Sequence, residues 1–279
     1  MKGQHPIAQL CAALGVTRSG YHAWMQAAPS ARQQQDVALR AQIEAIHGQH
    51  LGRYGAPRIQ NQLAQQGQRH GTKRVARLMK QARLRGLCRK RFVPCTTQSG
   101  HTQPVAPNHL AQRPRPTGPN QIWVSDLTYV RTREGWLYLA VILDLWSRRV
   151  VGWSSSDSLH SNLAVAALQM ALRQRQPPQG LLHHSDRGIQ YASGSYRTLL
   201  EVACIQSSMS RPGNPYDNAA MESFMATYKR ECVGLSGEYA TRAQAALDFF
   251  TYAEIYYNRQ RSHSALGYQT PVDFENQLN

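Results

Sequence analysis

The chain has 279 residues, 42% of them hydrophobic, which is material for one catalytic-sized core and one or two small domains. Its formal net charge of +16 is lopsided, because residues 1–120 hold 18 Lys or Arg against 2 Asp or Glu, while residues 121–279 hold 14 of each. No stretch approaches the roughly eighteen apolar residues of a membrane span, and five irregularly spaced cysteines without a CxxC pair speak against a zinc finger or a disulfide framework.

The start, MKGQHPIAQLCAALG, lacks the apolar run of a secretory leader, so the expected compartment is the cytosol. Residues 6–24 predict two short helices: Ile7, Leu10, Cys11 and Leu14 have helical spacing, Gly15 breaks it, and Thr17 can cap a second helix carrying Tyr21 and Trp24. That rhythm suits a helix-turn-helix over residues 1–30, and equally a plain helical hairpin. A basic helical DNA-binding domain is expected over residues 35–95. Leu39, Ile43 and Ile46 mark its first helix, a second starts near Pro57 and closes at Gly67, and a third follows Thr72 as N-cap with Val75, Leu78, Met79 and Ala82 as its packed stripe. The other side of that third helix carries Lys73, Arg74, Arg77, Lys80 and Arg83, a pattern that fits phosphates or a major groove. A solvated basic face, an anionic membrane surface or simple solubility are the bland alternatives. Residues 96–119 hold five prolines and read as a linker, with Arg113 and Arg115 as further DNA contacts.

From residue 120 the pattern changes to strands. IWVSDLTYV, WLYLAVILDL and RVVGW predict three in succession, with a turn at Arg133, Glu134 and Gly135. Asp126 falls inside the first, where a carboxylate is costly unless it is paired or bound to metal. A helix is expected over 159–174, then a short strand, GLLHHS, that delivers Asp186 at its end. Another helix, SYRTLLEVAC, and a short strand, IQSSMS, precede the loop RPGNPYDN. A longer helix begins near Asn218, with Met221, Phe224, Tyr228 and Cys232 on its apolar face and Glu222, Ala226 and Lys229 on the neighbouring stripe.

Asp126, Asp186 and Glu222 could converge on Mg²⁺ or Mn²⁺, because carboxylate oxygens suit hard divalent cations. Two such ions about 3.5–4 Å apart would serve an in-line displacement at phosphorus, which matches a polyanionic substrate. Spacing alone leaves open that the three are unrelated structural acids, or that a carboxylate pair hydrolyses glycosides.

The same residues carry a resemblance. The chain resembles the second-frame, catalytic protein of IS3-group insertion-sequence transposases, in the superfamily of DDE transposases and retroviral integrases. WVSDLTYV, HSDRGIQY and SMSRPGNPYDNAAMESFMATYKRE are similar to the three family motifs, with 35 residues between Asp186 and Glu222. HGQHLGRYGAPRI resembles the helix-turn-helix segment ahead of the core, and YYNRQRSHSALGYQTPVDF the closing segment. The resemblance implies an α/β fold: an RNase H-like core over 120–279, with a five-stranded mixed sheet flanked by helices and a C-terminal helical segment. It implies that Asp126, Asp186 and Glu222 are the catalytic and metal-binding residues of an enzyme that uses Mg²⁺ or Mn²⁺ as two ions. Water would cut a phosphodiester at an element end, and the exposed 3′-OH would then attack another DNA phosphate. The implied partners are terminal inverted repeats, target DNA, further copies of the chain on DNA, and an upstream-frame protein or fusion; no membrane is implied. Lys229 is expected to touch phosphate. Asp144 and Asp217 are expected to be structural or capping groups, His184 a packed and hydrogen-bonded one, and Tyr191, Asn218 and Ser223 to shape the pocket. Trp123, Trp136, Trp146 and Trp153 are expected in the core or on the sheet faces rather than as stacking platforms. A DNA-binding accessory protein, inactive without the upstream segment, and a nuclease that cuts without joining remain the competing readings.

Overall fold

The computed structural model describes residues 6–87, 105–211 and 218–278. The chain divides into two compact units, Met1–Gly86 and Leu87–Asn279.

The first unit is helical. α1 (Ile7–Ala13) and α2 (Arg18–Gln26) flank Gly15, whose φ of +65° supplies the turn, and the Thr17 side chain caps α2 by accepting from the Gly20 amide. Cys11 is buried, but Leu14 and Trp24 are exposed, so this pair carries little core of its own. α3 (Ala31–Gln49) starts in a capping box between Ser30 and Gln33. α4 (Ala56–Gln65) starts with proline in its first turn, and Gly67, at φ +80°, follows its end. α5 (Thr72–Gln81) has Gly71 at its N-cap, so Thr72 is the first helical residue rather than the cap expected for it. Leu39, Ile43, Ile46, Tyr54, Ile59, Leu63, Val75, Leu78 and Met79 from these three helices and the α3–α4 turn form one core.

The second unit is built on a five-stranded sheet in the order β3-β2-β1-β4-β5, from β1 (Ile122–Thr132), β2 (Gly135–Asp144), β3 (Val150–Ser156), β4 (Leu182–Ser185) and β5 (Gln206–Met209). β1–β2 and β2–β3 are antiparallel, β1–β4 and β4–β5 parallel. The parallel crossovers run through α6 (Ser161–Arg175) and then α7 (Ile189–Ala192) and α8 (Gly194–Val202), which cover one face with Trp123, Ile142, Leu163, Leu168, Tyr196 and Leu200. Gly152 lets α6 lie close, since a Cβ there would stand 2.5 Å from the Ala167 carbonyl oxygen. The other face is covered by α9 (Ala219–Tyr228) and α11 (Arg242–Phe250), each running on into a π-helical turn, Lys229–Val233 and Thr251–Tyr257. A short α10 (Gly234–Ser236) follows the first π turn. The last helix, α12 (Pro271–Asn276), is tied down by Glu275, which takes Arg149 at 2.7 Å and Arg175 at 2.8 Å.

One expectation acquires a physical basis here. Asp144 caps the β2–β3 turn, accepting from the amides of Asn120, Trp146 and Ser147 and from the Ser147 hydroxyl. Its role is structural. The described part of the proline-rich segment is docked rather than loose: the His109 and Leu110 amides donate to Ser208 Oγ, and Arg113 donates to Gln206 at 2.8 Å. Arg113 is thereby occupied within the second unit. Among the described residues no helix is long and apolar enough to cross a membrane.

Candidate active site

β1 and β4 pair as Trp123 with His183 and Val124 with His184. Two further steps along that parallel register would set Asp126 level with Asp186, the residue after β4 ends. Strand alternation puts Asp126 on the face of Ile122, Val124 and Val130, which is the face that α9 covers. Asn218, at the N-cap position of α9, donates its Nδ2 to the Ser125 carbonyl at 3.1 Å, fastening the helix start to the residue before Asp126. Glu222 follows one turn later, exposed, while Met221, Phe224, Tyr228 and Cys232 are buried. Asp126 thus sits on β1, Asp186 in the turn after β4, and Glu222 on α9.

The local contacts are specific. Asp126 Oδ1 accepts from the Leu127 amide at 2.7 Å, and Asp186 Oδ1 from the Gly188 amide at 2.9 Å. A Cβ at Gly188 would come 3.0 Å from that same oxygen, so the glycine keeps the Asp186 turn tight. Arg187 donates to the Ser210 carbonyl at 2.7 Å, pinning the turn to the end of β5. Below it, His184 is fully buried between Ser208 and Ser210, at 2.9 and 3.0 Å. His183 meets the Tyr196 hydroxyl at 3.0 Å, and burial, aided by His184, lowers its pKa to about 3, so its ring is neutral.

Electrostatics shows which acids feel one another. Burial first, and then the negative charges of Asp186 and Glu222, push the Asp126 carboxyl up to about 8, against the opposing pull of the Leu127 amide and Lys229. Asp186 acts on it more strongly than Glu222 does. Partial desolvation also raises the Glu222 carboxyl. Among the described residues, no three His, Cys, Asp or Glu side chains stand close enough to share one metal ion. The arrangement is an aspartate on β1 and another just past β4 that act on each other, with Glu222 on α9 acting on Asp126 more weakly.

Three family models match the chain: an integrase core domain over residues 116–215, a second integrase core domain over 203–271, and an HTH-like domain over 34–92. A Shigella sonnei protein, the insertion element IS600 uncharacterized 31 kDa protein, is 46% identical over 95% of this chain and 97% of its own length. Transposase InsF for insertion sequence IS3A, from Escherichia coli strain K12, is 41% identical over 99% of this chain and 96% of its own length. The chain belongs to the IS3 family of transposases. Among solved structures, the HTLV-2 integrase catalytic core domain in complex with magnesium is 18% identical, with a TM-score of 0.46 over 58% of this chain and 99% of that one.

For a transposase of this family the remaining expected site residues fall as follows. Lys229 begins the π turn after α9, and its Nζ lies 5.1 Å from the centre of the Tyr129 ring, while its charge also reaches Asp126. On α5, Lys73 and Lys80 are exposed, and Arg83 lies beyond the helix at φ +57°. Arg74 and Arg77 differ: both bind Asp36 of α3, at 2.7 and 2.5 Å, and their guanidiniums, Arg77 foremost, hold its carboxyl below the usual range. Two of the five basic groups on that face therefore already serve the helix packing. Asp217 lies outside the described residues. Sequence reading missed the backbone amide of Gly188 as a holder of Asp186; the signal was the DRG turn itself, with glycine two residues after the acid. Trp136 lies on a sheet face as expected, exposed there with Tyr129 at 44% and 47%.

Proposed function

We propose that this transposase cuts a phosphodiester at the ends of its element and joins the freed 3′-OH to a second DNA phosphate, with Asp126, Asp186 and Glu222 as the catalytic carboxylates. The observation that carries the reading is the placement of the acids: Asp126 lies on β1, Asp186 just past the neighbouring parallel strand β4, and Glu222 on α9, whose start is fastened to Ser125 beside Asp126. Carboxylate oxygens suit a hard cation, Mg²⁺ or Mn²⁺, better than a soft one. Asp126 and Asp186 would be its first holders, and Glu222 would complete the site from α9. Divalent ions bound there would activate the attacking oxygen and stabilise the leaving one. Asn218 fastens the start of α9 to β1, Gly188 keeps the Asp186 turn tight, and Lys229 would meet a phosphate of the strand being cut.

Lys73, Lys80 and Arg83 are read as phosphate contacts of the HTH-like unit, and Arg74 and Arg77 as contacts shared with Asp36. The working form on DNA is read as a homo-oligomer in the cytoplasm that engages terminal inverted repeats and target DNA, with an upstream-frame protein or fusion adding end recognition.

The test uses the full-length chain, labelled DNA ending in the inverted repeats of its element, and Mg²⁺. Joined products are expected, and Glu222→Gln is expected to lower their rate at least about a hundredfold, because several kcal/mol of charge stabilisation are lost. Joining at the parental rate by Glu222→Gln would sink the assignment. Cutting without joining by the parent would favour the nuclease reading.

A further inference from the structure

We propose that Tyr129 and Trp136 form a stacking platform for an unpaired nucleobase next to the phosphate being processed; the proposal rests on the transposase reading above. In the register of the β1–β2 hairpin, Tyr129 stands opposite Tyr138 and Arg131 opposite Trp136, which makes Tyr129 and Trp136 diagonal neighbours on one face. Their rings meet edge to face at 5.1 Å and 82°. Over this half of β1, Thr128, Val130 and Thr132 are buried while Tyr129 and Arg131 point outward. The face that α6, α7 and α8 cover nearer the start of β1 is thus open at the hairpin end, and there it presents two large aromatic rings to solvent.

The hairpin is braced, so the rings are presented by a rigid mount. Thr132 Oγ1 donates to the Gly135 carbonyl at 2.7 Å, the Arg133 amide to the Tyr239 carbonyl at 3.0 Å, and Arg242 Nε to the Trp136 carbonyl at 3.0 Å. The Arg242 amide also donates to Glu134 at 2.8 Å. Exposed aromatics on a fixed mount already have little conformational freedom to lose when a flat partner settles on them.

Charge and position select the partner. Lys229 has its ammonium over the Tyr129 ring, and the same charge acts on Asp126, so a single side chain links the platform to the catalytic acids. Tyr129 is three residues along β1 from Asp126, about 10 Å at the rise of a strand. Pairing with β4 stops short of Asp126, which leaves this edge of β1 open for Lys229 to reach across. Arg131 is exposed beside the rings. Cations around an aromatic pair suit a nucleotide, whose phosphate meets the charge and whose base meets the ring. A base inside a duplex has both faces already stacked, so the ligand is a base freed from pairing near the element end.

The full-length chain, kept in EDTA so that no chemistry occurs, is irradiated with duplexes of the element ends that carry 5-iodouracil at each of the three terminal positions in turn. Crosslinks are expected in the peptides that contain Tyr129 or Trp136. Trp136→Ala is expected to weaken binding of ends with unpaired terminal bases by about tenfold or more, while Trp136→Phe keeps most of it. Crosslinks to neither residue would overturn the proposal, whatever the variants do. So would a Trp136→Ala protein that binds unpaired ends like the parent, or one whose mass in solution without DNA changes while end binding does not, which would make the rings a protein contact. Crosslinks at the platform together with unimpaired joining by Glu222→Gln would remove the catalytic assignment and leave the platform standing.

Discussion

Asp126 is stabilised as a neutral acid in the folded chain, and that state has a measurable consequence. Its carboxyl is raised from 3.8 to about 8 by burial and by Asp186 and Glu222. Folding therefore favours the protonated form, so this contribution to stability is fully present below pH 3.8 and is lost as pH rises towards 8. In EDTA, Asp126→Asn should remove that loss and raise the unfolding midpoint at pH 8 by several degrees, corresponding to about 2 kcal/mol after allowance for partial solvent access. Mg²⁺ should raise the midpoint of the parent, because binding to the folded state alone stabilises it, and should do little for the variant. Thermal unfolding with and without metal checks both halves. A parent indifferent to Mg²⁺ at every accessible concentration would argue against these acids as ligands.

At the scale of elements, α9 is where sequence and structure agree most and then part. The spacing of Met221, Phe224, Tyr228 and Cys232 marks its buried face, and all four are buried. The three strands and the delivery of Asp186 by a short fourth strand were equally legible, because period-two and continuous apolar runs report burial directly. The π turn at Lys229–Val233 was not legible, since it is a response to tertiary contacts rather than to the periodicity of its own residues. That turn places Glu231 in the interior, where Arg261 binds it with two nitrogens at 2.7 and 2.8 Å. Although burial opposes its charge, the Glu231 carboxylate keeps the Arg261 guanidinium protonated. The pair ties the helix that carries Glu222 and Lys229 to the closing segment of the chain. Arg261→Met should cost about 3 kcal/mol by leaving the buried Glu231 carboxylate to the longer contacts with Tyr252 and Arg230, and adding Glu231→Leu should recover much of it. Denaturant melts of the single and double variants check this; a single variant as stable as the parent would mean that the pair holds nothing in place. The pairing of Arg74 and Arg77 with Asp36 escaped the sequence for a similar reason, as those residues are about forty positions apart and no helical period joins them.

On the scale of the whole molecule, the asymmetry of charge becomes a statement about salt. Lys and Arg outnumber Asp and Glu by 16 within residues 1–120, 11 of that excess lying within the first unit, and the rest of the chain balances, so most of the electrostatic attraction to DNA lies in the HTH-like unit. Neutralising a phosphate releases counterions, and each such contact adds about 0.9 to the slope of log affinity against log salt concentration. If Lys73, Lys80 and Arg83 each meet a phosphate, replacing all three with Ala should shallow that slope by about 2 to 3. Arg74→Ala with Arg77→Ala should behave differently, because those side chains also neutralise Asp36. That double variant should lose stability along with affinity, whereas the triple variant should melt like the parent. Titrations of labelled duplex at several salt concentrations, run beside thermal melts, separate the two. An unchanged slope in the triple variant would move the phosphate contacts to other basic residues of the first 120, and equal melting of both variants would show that Asp36 does not need its arginines.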